Sequence, residues 1–173
     1  LTLNVCTPIA DDSERPVLVW IHGGGYRTGR SSIPWYNGTS FAQRGDIVTV
    51  SINYRLGALG FAELSHLDGR LETSGVNGLL DQIKALEWVQ ENIENFGGDP
   101  KNVTIFGESA GGFSVAALLV SPLSKGLFHK AIVQSGGFSR MALHSSEKGE
   151  MGFAASDLGE RFGEFCDVPA GEE

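Results

Sequence analysis

Apolar residues along this chain fall into short continuous runs and longer segments of helical periodicity. Four runs predict β-strands, namely Val17 to Ile21, Asp46 to Ile52, Val103 to Phe106 and the weaker run Ala131 to Val133. Apolar runs without alternation are typical of strands buried on both faces, as in a parallel sheet.

Between the second and third runs, apolar residues at helical spacing predict a helix that Asn77 can cap and that ends at Gly97-Gly98. Its apolar positions are Leu79, Leu80, Ile83, Leu86, Val89 and Ile93. Further helices are predicted from Ser109 to Leu119 and, although four glycines disfavour it, from Glu147 to Phe165. Strands that alternate with helices predict an α/β fold with a mostly parallel sheet and helices on both faces. No linker is visible, so we expect residues 1–173 to belong to a single domain.

The composition and the spacing of residues argue against several classes of function. The 173 residues carry 21 acidic and 13 basic side chains without a basic cluster, which argues against nucleic acid binding. No apolar stretch approaches the length of a membrane span, about 18 residues. Cys6 and Cys166 have no metal-type spacing, and we expect two buried free thiols rather than a pair. No cluster of potential ligands implies a metal.

The first candidate for chemistry is the segment from Val103 to Gly112. A predicted strand runs into Gly107-Glu108-Ser109-Ala110-Gly111 and out into a predicted helix, which is the arrangement of a nucleophile elbow. Small residues beside Ser109 permit the tight turn, and the hydroxyl then lies near the positive N-terminus of the helix. The alternative is a glycine-rich helix start in which the serine is only a capping residue.

The second candidate segment, Trp20-Ile21-His22-Gly23-Gly24-Gly25, also ends a predicted strand. Consecutive glycines can turn backbone N–H groups toward a developing oxyanion, and Ala110, after the serine, supplies another such donor. A plain loop or a phosphate cradle is the alternative. The spacing matches neither a dinucleotide fingerprint nor a P-loop, however, and no Lys follows. Together the two segments favour acyl transfer.

At these residues the sequence resembles the type B carboxylesterase/cholinesterase family, with the bacterial para-nitrobenzyl-esterase-like branch nearest. The matching segments stand in family order over about residues 1–140. They are Leu1 to Val5, Trp20 to Gly25, Asn53 to Gly57, Gly78 to Gln82, Phe96 to Pro100, Phe106 to Gly112 and Gln134 to Gly136.

The resemblance implies the central part of an α/β-hydrolase fold and hydrolysis of a small-molecule carboxylic ester without a cofactor. It implies Ser109 as the acyl-accepting nucleophile, with Gly24, Gly25 and Ala110 as oxyanion donors. Tyr26 stands at a family aromatic position and is expected to form a pocket wall. The chain departs from the family at Val76, where Asn is usual, and at Arg27, where an aromatic is common. The bacterial type of the sequence and its sparse cysteines favour a cytoplasmic location, with a secreted location as the alternative, and the oligomeric state stays open.

The general base and its orienting acid do not follow from these residues. In α/β-hydrolases the order is Ser, acid, His, but after Ser109 no acidic residue precedes Glu147 and the last histidine is His144. We therefore expect both partners beyond Glu173, and we expect these residues alone to be inactive.

Most other polar residues that could carry chemistry are expected to have structural roles. We expect His22 to order the glycine loop, His129 to lie at a strand edge, and His66 and His144 to lie in loops. Glu108 has three interpretations: local negative potential, an anchor for a partner loop, or a simple ion pair. Arg55 and Asp81 are expected to be structural charges with partners, and Ser114 and Ser135 to be buried hydroxyls.

Three rival hypotheses remain. The hormone-sensitive-lipase-like group also has a histidine-triglycine loop, but it usually has Asp at the position of Glu108. A non-catalytic adhesion or binding relative would keep the fold without turnover, although such relatives often lose the serine that is present here. An inactive remnant is the third, and unpaired sheet edges would make it prone to aggregation.

Overall fold

A computed structural model describes residues 1–137 and 155–166 of the chain. The described residues form two compact units. The first comprises residues 1–54 and 81–137, and the second comprises residues 55–80 and 155–166.

The first unit is built on a five-stranded sheet. Its strands are β1 (Thr2–Cys6), β2 (Arg15–Ile21), β3 (Val48–Asn53), β4 (Gly98–Glu108) and β5 (Lys130–Gln134), in the spatial order β1-β3-β2-β4-β5. The pairs β2–β3, β2–β4 and β4–β5 are parallel, whereas β1 runs antiparallel to β3 at one edge. The four predicted runs therefore all form strands, and the mostly parallel sheet is confirmed.

One face of this sheet holds the core. Eight β-branched side chains from three adjacent strands are completely buried there, in register with one another: Val17, Val19, Ile21, Val48, Val50, Ile52, Val103 and Ile105. On the opposite face, Thr49 and Thr104 are buried, whereas Leu18 and Trp20 are half-buried. The expectation that these strands are buried on both faces therefore holds at Thr49 and Thr104 and fails at Leu18 and Trp20.

Five α-helices accompany the strands in the described residues: α1 (Thr39–Gly45), α2 (Gly57–Phe61), α3 (Asn77–Asn92), α4 (Ala110–Val120) and α5 (Ala155–Phe165). A 3-10 turn after α3 places Ile93 beside Val17 on the core face. The start of α1 lies on the other face, where Cys6 Sγ is 3.7 Å from Thr39 Oγ1. Helices thus lie on both faces, as predicted.

The long helix α3 confirms its apolar pattern but not its predicted cap. Asn77 has φ −54° and ψ −38°, so it already lies within helical backbone, and a 3-10 turn at Ser74–Val76 leads into it. At the other end, Gly97 adopts φ 74° and terminates the helical segment as predicted.

The second unit contains α2 and α5. Gly159 of α5 lies directly against the chain at Glu63, since a Cβ there would stand 1.7 Å from the Glu63 carbonyl oxygen. The glycine that disfavours this helix by propensity is thus required by packing. Of the predicted helix from Glu147 to Phe165, residues 147–154 lie outside the described residues.

Candidate active site

Ser109 occupies the single residue between β4 and α4. Its backbone has φ 53° and ψ −119°, a conformation that L-residues avoid and that costs about 1–3 kcal/mol. The serine stands at the N-cap position of α4, yet its side chain makes no capping hydrogen bond. The interpretation of Ser109 as a simple capping residue is therefore wrong, and the hydroxyl is left at the positive end of the helix.

Close backbone contacts explain why glycines flank the serine. A Cβ on Gly107 would lie 2.6 Å from the Gly111 carbonyl oxygen, and a Cβ on Gly111 would lie 2.0 Å from the Ile21 carbonyl oxygen. The turn is also pinned from the neighbouring strand, because the Ser109 N–H donates to the Gln134 carbonyl at 2.9 Å. The elbow thus closes on itself and on the ends of β2 and β5.

The loop that follows β2 takes a backbone path that its glycines permit. Gly24 has φ 114° and Gly25 has φ 61°, and both are exposed. The Gly24 carbonyl accepts hydrogen bonds from the N–H groups of Arg27 and Thr28, both at 3.1 Å. Within the described part of the chain, the N–H groups of Gly24 and Gly25 donate no hydrogen bond. Ala110, as the first residue of α4, has no intrahelical acceptor for its N–H.

Gly23 joins this loop to the serine elbow. A Cβ on Gly23 would stand 2.7 Å from the Glu108 carbonyl oxygen and 3.3 Å from Ser109 Cβ. The two segments that sequence analysis selected separately are therefore in direct contact, and the unpaired N–H groups of the glycine loop belong to the same segment that touches the half-buried Ser109.

His22 fixes the start of the glycine loop. It is 1% exposed, its Nδ1 lies 2.9 Å from the Gly23 carbonyl, and its ring stacks on Tyr54 at a centroid distance of 4.5 Å. The Tyr54 hydroxyl in turn donates to the His22 carbonyl at 2.6 Å. Burial lowers the pKa of His22, and the hydrogen bond to Gly23 opposes that shift only partly. This geometry agrees with the predicted ordering role, because the ring is buried and engaged with its own loop.

Tyr26 fixes the end of the loop through a buried hydrogen-bond chain that sequence analysis missed. The Tyr26 hydroxyl lies 3.2 Å from Ser114 Oγ, which accepts a hydrogen bond from Gln82 Nε2 at 3.0 Å. Burial raises the pKa of Tyr26, while the hydrogen bond to Ser114 opposes the shift. One signal was available in the sequence: Gln82 is a polar residue between Leu79 and Leu86 on an apolar helix face.

The other candidate residues lie apart from this arrangement or differ from expectation. Glu108 is exposed and forms no ion pair among the residues that the structure describes. Ser114 is buried as expected, but Ser135 is exposed, because it directly follows β5, the last strand in the sheet order of the described residues. His129 precedes β5, and its Nδ1 accepts from the Val103 N–H at 3.2 Å, which confirms a strand-edge position.

The remaining candidates are mostly peripheral. His66 is exposed, and Arg55 and Asp81 each have an interaction partner. Arg27 is exposed beyond the glycines, and Val76 ends the 3-10 turn before α3. Both cysteines are free as expected, but neither is fully buried: Cys6 is half-buried and Cys166 is exposed. His144 lies outside the described residues.

Residues 1–137 and 155–166 contain neither a membrane-spanning helix nor a group of metal ligands. None of the helices there is long and apolar enough to cross a membrane. Nor do those residues contain a group of three or more potential ligands that could hold a metal ion.

A mostly parallel sheet, a strained serine between strand and helix, and a glycine loop against that serine together define the α/β-hydrolase fold class. Within that class the chain belongs to the carboxylesterase family, whose sequence profile matches residues 1–165. The resemblance to type B carboxylesterases is confirmed.

Individual relatives agree with this assignment. Para-nitrobenzyl esterase of Bacillus subtilis (strain 168) is 52% identical over 142 residues, which are 82% of this chain and 28% of the relative. Phenmedipham hydrolase of Pseudarthrobacter oxydans is 48% identical over 148 residues, which are 86% of this chain and 28% of the relative.

Solved structures agree as well. A carboxylesterase of Geobacillus stearothermophilus superimposes with a TM-score of 0.90 at 47% identity, over 98% of this chain and 34% of that chain. The chain thus spans about a third or less of the length of the proteins that it matches.

Proposed function

We propose that this protein hydrolyses small-molecule carboxylic esters through an acyl-serine intermediate, without a cofactor. The observation that carries the proposal is the strained Ser109, presented at the start of α4 with the glycine loop packed against it. Family membership supports it, as do the esterase names of the relatives. We propose further that residues 1–173 belong to a single α/β-hydrolase domain.

In the proposed reaction, Ser109 Oγ attacks the ester carbonyl carbon while a histidine takes the hydroxyl proton. The carbonyl oxygen becomes an oxyanion, and the N–H groups of Gly24, Gly25 and Ala110 donate hydrogen bonds to it. The bond to the alcohol oxygen then breaks, and the histidine returns the proton to the departing alcohol. The histidine then takes a proton from water as the water oxygen attacks the acyl carbon. The bond from that carbon to Ser109 Oγ breaks, Oγ receives the proton from the histidine, and the carboxylic acid is released.

The histidine and its orienting acid are proposed to lie outside these 173 residues. The order Ser, acid, His supports this, because the chain holds no acid followed by a histidine after Ser109. The greater length of the relatives provides room for both groups. We also propose a cytoplasmic location, which the two free thiols support.

The test is hydrolysis of p-nitrophenyl butyrate by the full-length protein and its Ser109→Ala variant. We expect the variant to lose at least ~10³-fold in kcat, as removal of a serine nucleophile does elsewhere. Ser13→Ala is the matched control, because it removes the hydroxyl of an exposed serine that the proposed reaction does not use. Labelling by a fluorophosphonate, located by mass spectrometry, should fall on Ser109 alone.

Two outcomes would contradict the proposal. If Ser109→Ala kept most of its turnover, the nucleophile would be a different residue. If the folded wild-type protein hydrolysed no ester over several acyl lengths, the non-catalytic binding relative would be the better hypothesis.

A further inference from the structure

The residue that ends the glycine loop is held in an unfavourable backbone conformation. Tyr26 has φ 58°, in the left-handed region that a bulky side chain rarely adopts. It directly follows Gly24 and Gly25, which also adopt positive φ values and, without a Cβ, restrict their own backbone less than other residues do. Such a conformation persists only where surrounding contacts over-determine it. The orientation of the preceding N–H groups therefore depends on what holds Tyr26.

Two buried side chains supply that restraint from two different helices. Ser114, on α4, is 1% exposed and lies 3.2 Å from the Tyr26 hydroxyl. Gln82, on α3, is 0% exposed and donates to Ser114 Oγ at 3.0 Å. The helix that provides Ser114 also begins with Ala110, so one rigid element connects a third proposed oxyanion donor to the same chain of hydrogen bonds.

Among residues 1–137 and 155–166, the hydrogen bonds of Gln82 are incomplete, which is unfavourable for stability. Its Nε2 is used, but its Oε1 is buried without a partner among the described residues. An unsatisfied buried acceptor costs free energy, whereas an apolar side chain of similar length, such as Met, would not carry that cost. Stability of the fold alone therefore does not account for a glutamine at this position.

We propose that Gln82 and Ser114 are positioning residues, which act through Tyr26 to hold the N–H groups of Gly24 and Gly25 in the orientation that an oxyanion requires. The inference rests on the proposed esterase function. The loop is then fixed at both ends: the Tyr54 hydroxyl binds the His22 carbonyl at its start, and the Ser114 hydroxyl binds Tyr26 at its end. Neither positioning residue contacts substrate.

The test compares three variants of the full-length protein, Gln82→Met, Ser114→Ala and Tyr26→Phe. Each should lower kcat about ten-fold, less than the ~10²–10³-fold loss on deleting an oxyanion donor, because the donors remain but are held less well. KM should change by less than about two-fold, since the interaction matters in the transition state. Binding of a trifluoromethyl ketone, which forms an oxyanion adduct on a serine, should weaken about as much as kcat falls.

Two further measurements separate positioning from a structural role. Gln82→Met should unfold at the same or a higher urea concentration than wild type, because the unsatisfied acceptor is removed. The matched control is Gln90→Met, also on α3, whose amide donates to the Pro100 and Leu127 carbonyls at 2.9 and 3.0 Å. That control should lose stability and keep kcat. The double variant Gln82→Met/Tyr26→Phe should be no slower than either single variant, because both act through one network.

Several results would overturn the inference. An active, Ser109-dependent wild type with an unchanged kcat in Gln82→Met overturns this inference alone. The inference is also overturned if the losses of kcat in Gln82→Met and Tyr26→Phe multiply in the double variant. It is overturned as well if the loss of kcat among the variants is proportional to their loss of stability. An inactive wild type, or an active Ser109→Ala variant, overturns the proposed function itself and this inference with it. If Ser114→Ala fails to fold, the other two variants still decide the matter.

Discussion

Replacement of Ser109 by glycine should make the protein more stable while it abolishes turnover. The backbone at Ser109 has φ 53° and ψ −119°, which a residue with a Cβ avoids and a glycine tolerates. Release of that strain is worth about 1–3 kcal/mol. The added conformational freedom of glycine in the unfolded chain lowers the free energy of unfolding by about 0.4–1 kcal/mol. With the middle of each range, about 2 less about 0.7 kcal/mol, the net gain in the free energy of unfolding should be about 1.3 kcal/mol.

The informative comparison is Ser109→Gly against Ser109→Ala, because both lack the hydroxyl and only the alanine keeps the Cβ. Equilibrium unfolding in urea of the two full-length variants should show a higher midpoint for glycine at an unchanged slope. Both should be inactive toward p-nitrophenyl butyrate. A glycine variant that unfolds at the same urea concentration as the alanine variant, or at a lower one, would refute the assignment of strain to this residue.

Two further predictions concern stability. Gly111→Ala should destabilise the fold by about 3 kcal/mol or more, because the new Cβ would lie 2.0 Å from the Ile21 carbonyl oxygen. Gly69→Ala, with nothing within 4 Å of its Cβ, should change the free energy of unfolding by less than about 0.5 kcal/mol in the same urea titration. Hydrogen bonding to Arg15 lowers the pKa of Asp11 from 3.8 to about 2. The Asp11 carboxylate therefore stabilises the fold above pH 3.8 and loses that effect as the pH falls toward 2. The difference in free energy of unfolding between wild type and Asp11→Asn should therefore shrink over that interval. A difference that stays constant would contradict the reasoning.

Much of the fold was predictable because it depends on local patterns. The buried runs of β2, β3 and β4 and the apolar stripe of α3 are strong signals, and the structure confirms each of them. The short helix α1 and the antiparallel strand β1 were not predicted. Both are brief and partly exposed, so tertiary contacts rather than sequence periodicity determine them.

The candidate site was predictable to the extent that it depends on backbone geometry. Glycines around Ser109 and after His22 indicate tight turns, and the structure shows the close contacts that require them. The link from Tyr26 to Ser114 could not be derived, because its two residues lie 88 positions apart in the chain. Ser135 was expected to be buried, but the burial of β5 depends on its position in the sheet order and not on its own sequence.

The groups proposed to stabilise the oxyanion are atoms of the main chain, a feature with evolutionary consequences. A point mutation can replace any side chain, but every replacement other than proline leaves the N–H groups of Gly24, Gly25 and Ala110 in the polypeptide. Selection at Gly23, Gly107 and Gly111 therefore acts on volume, since each lies within 3 Å of neighbouring backbone at its Cβ position. If the proposed esterase function holds, descendants of this chain can exchange the side chains around the site, and so the esters they accept, while they inherit the same reaction.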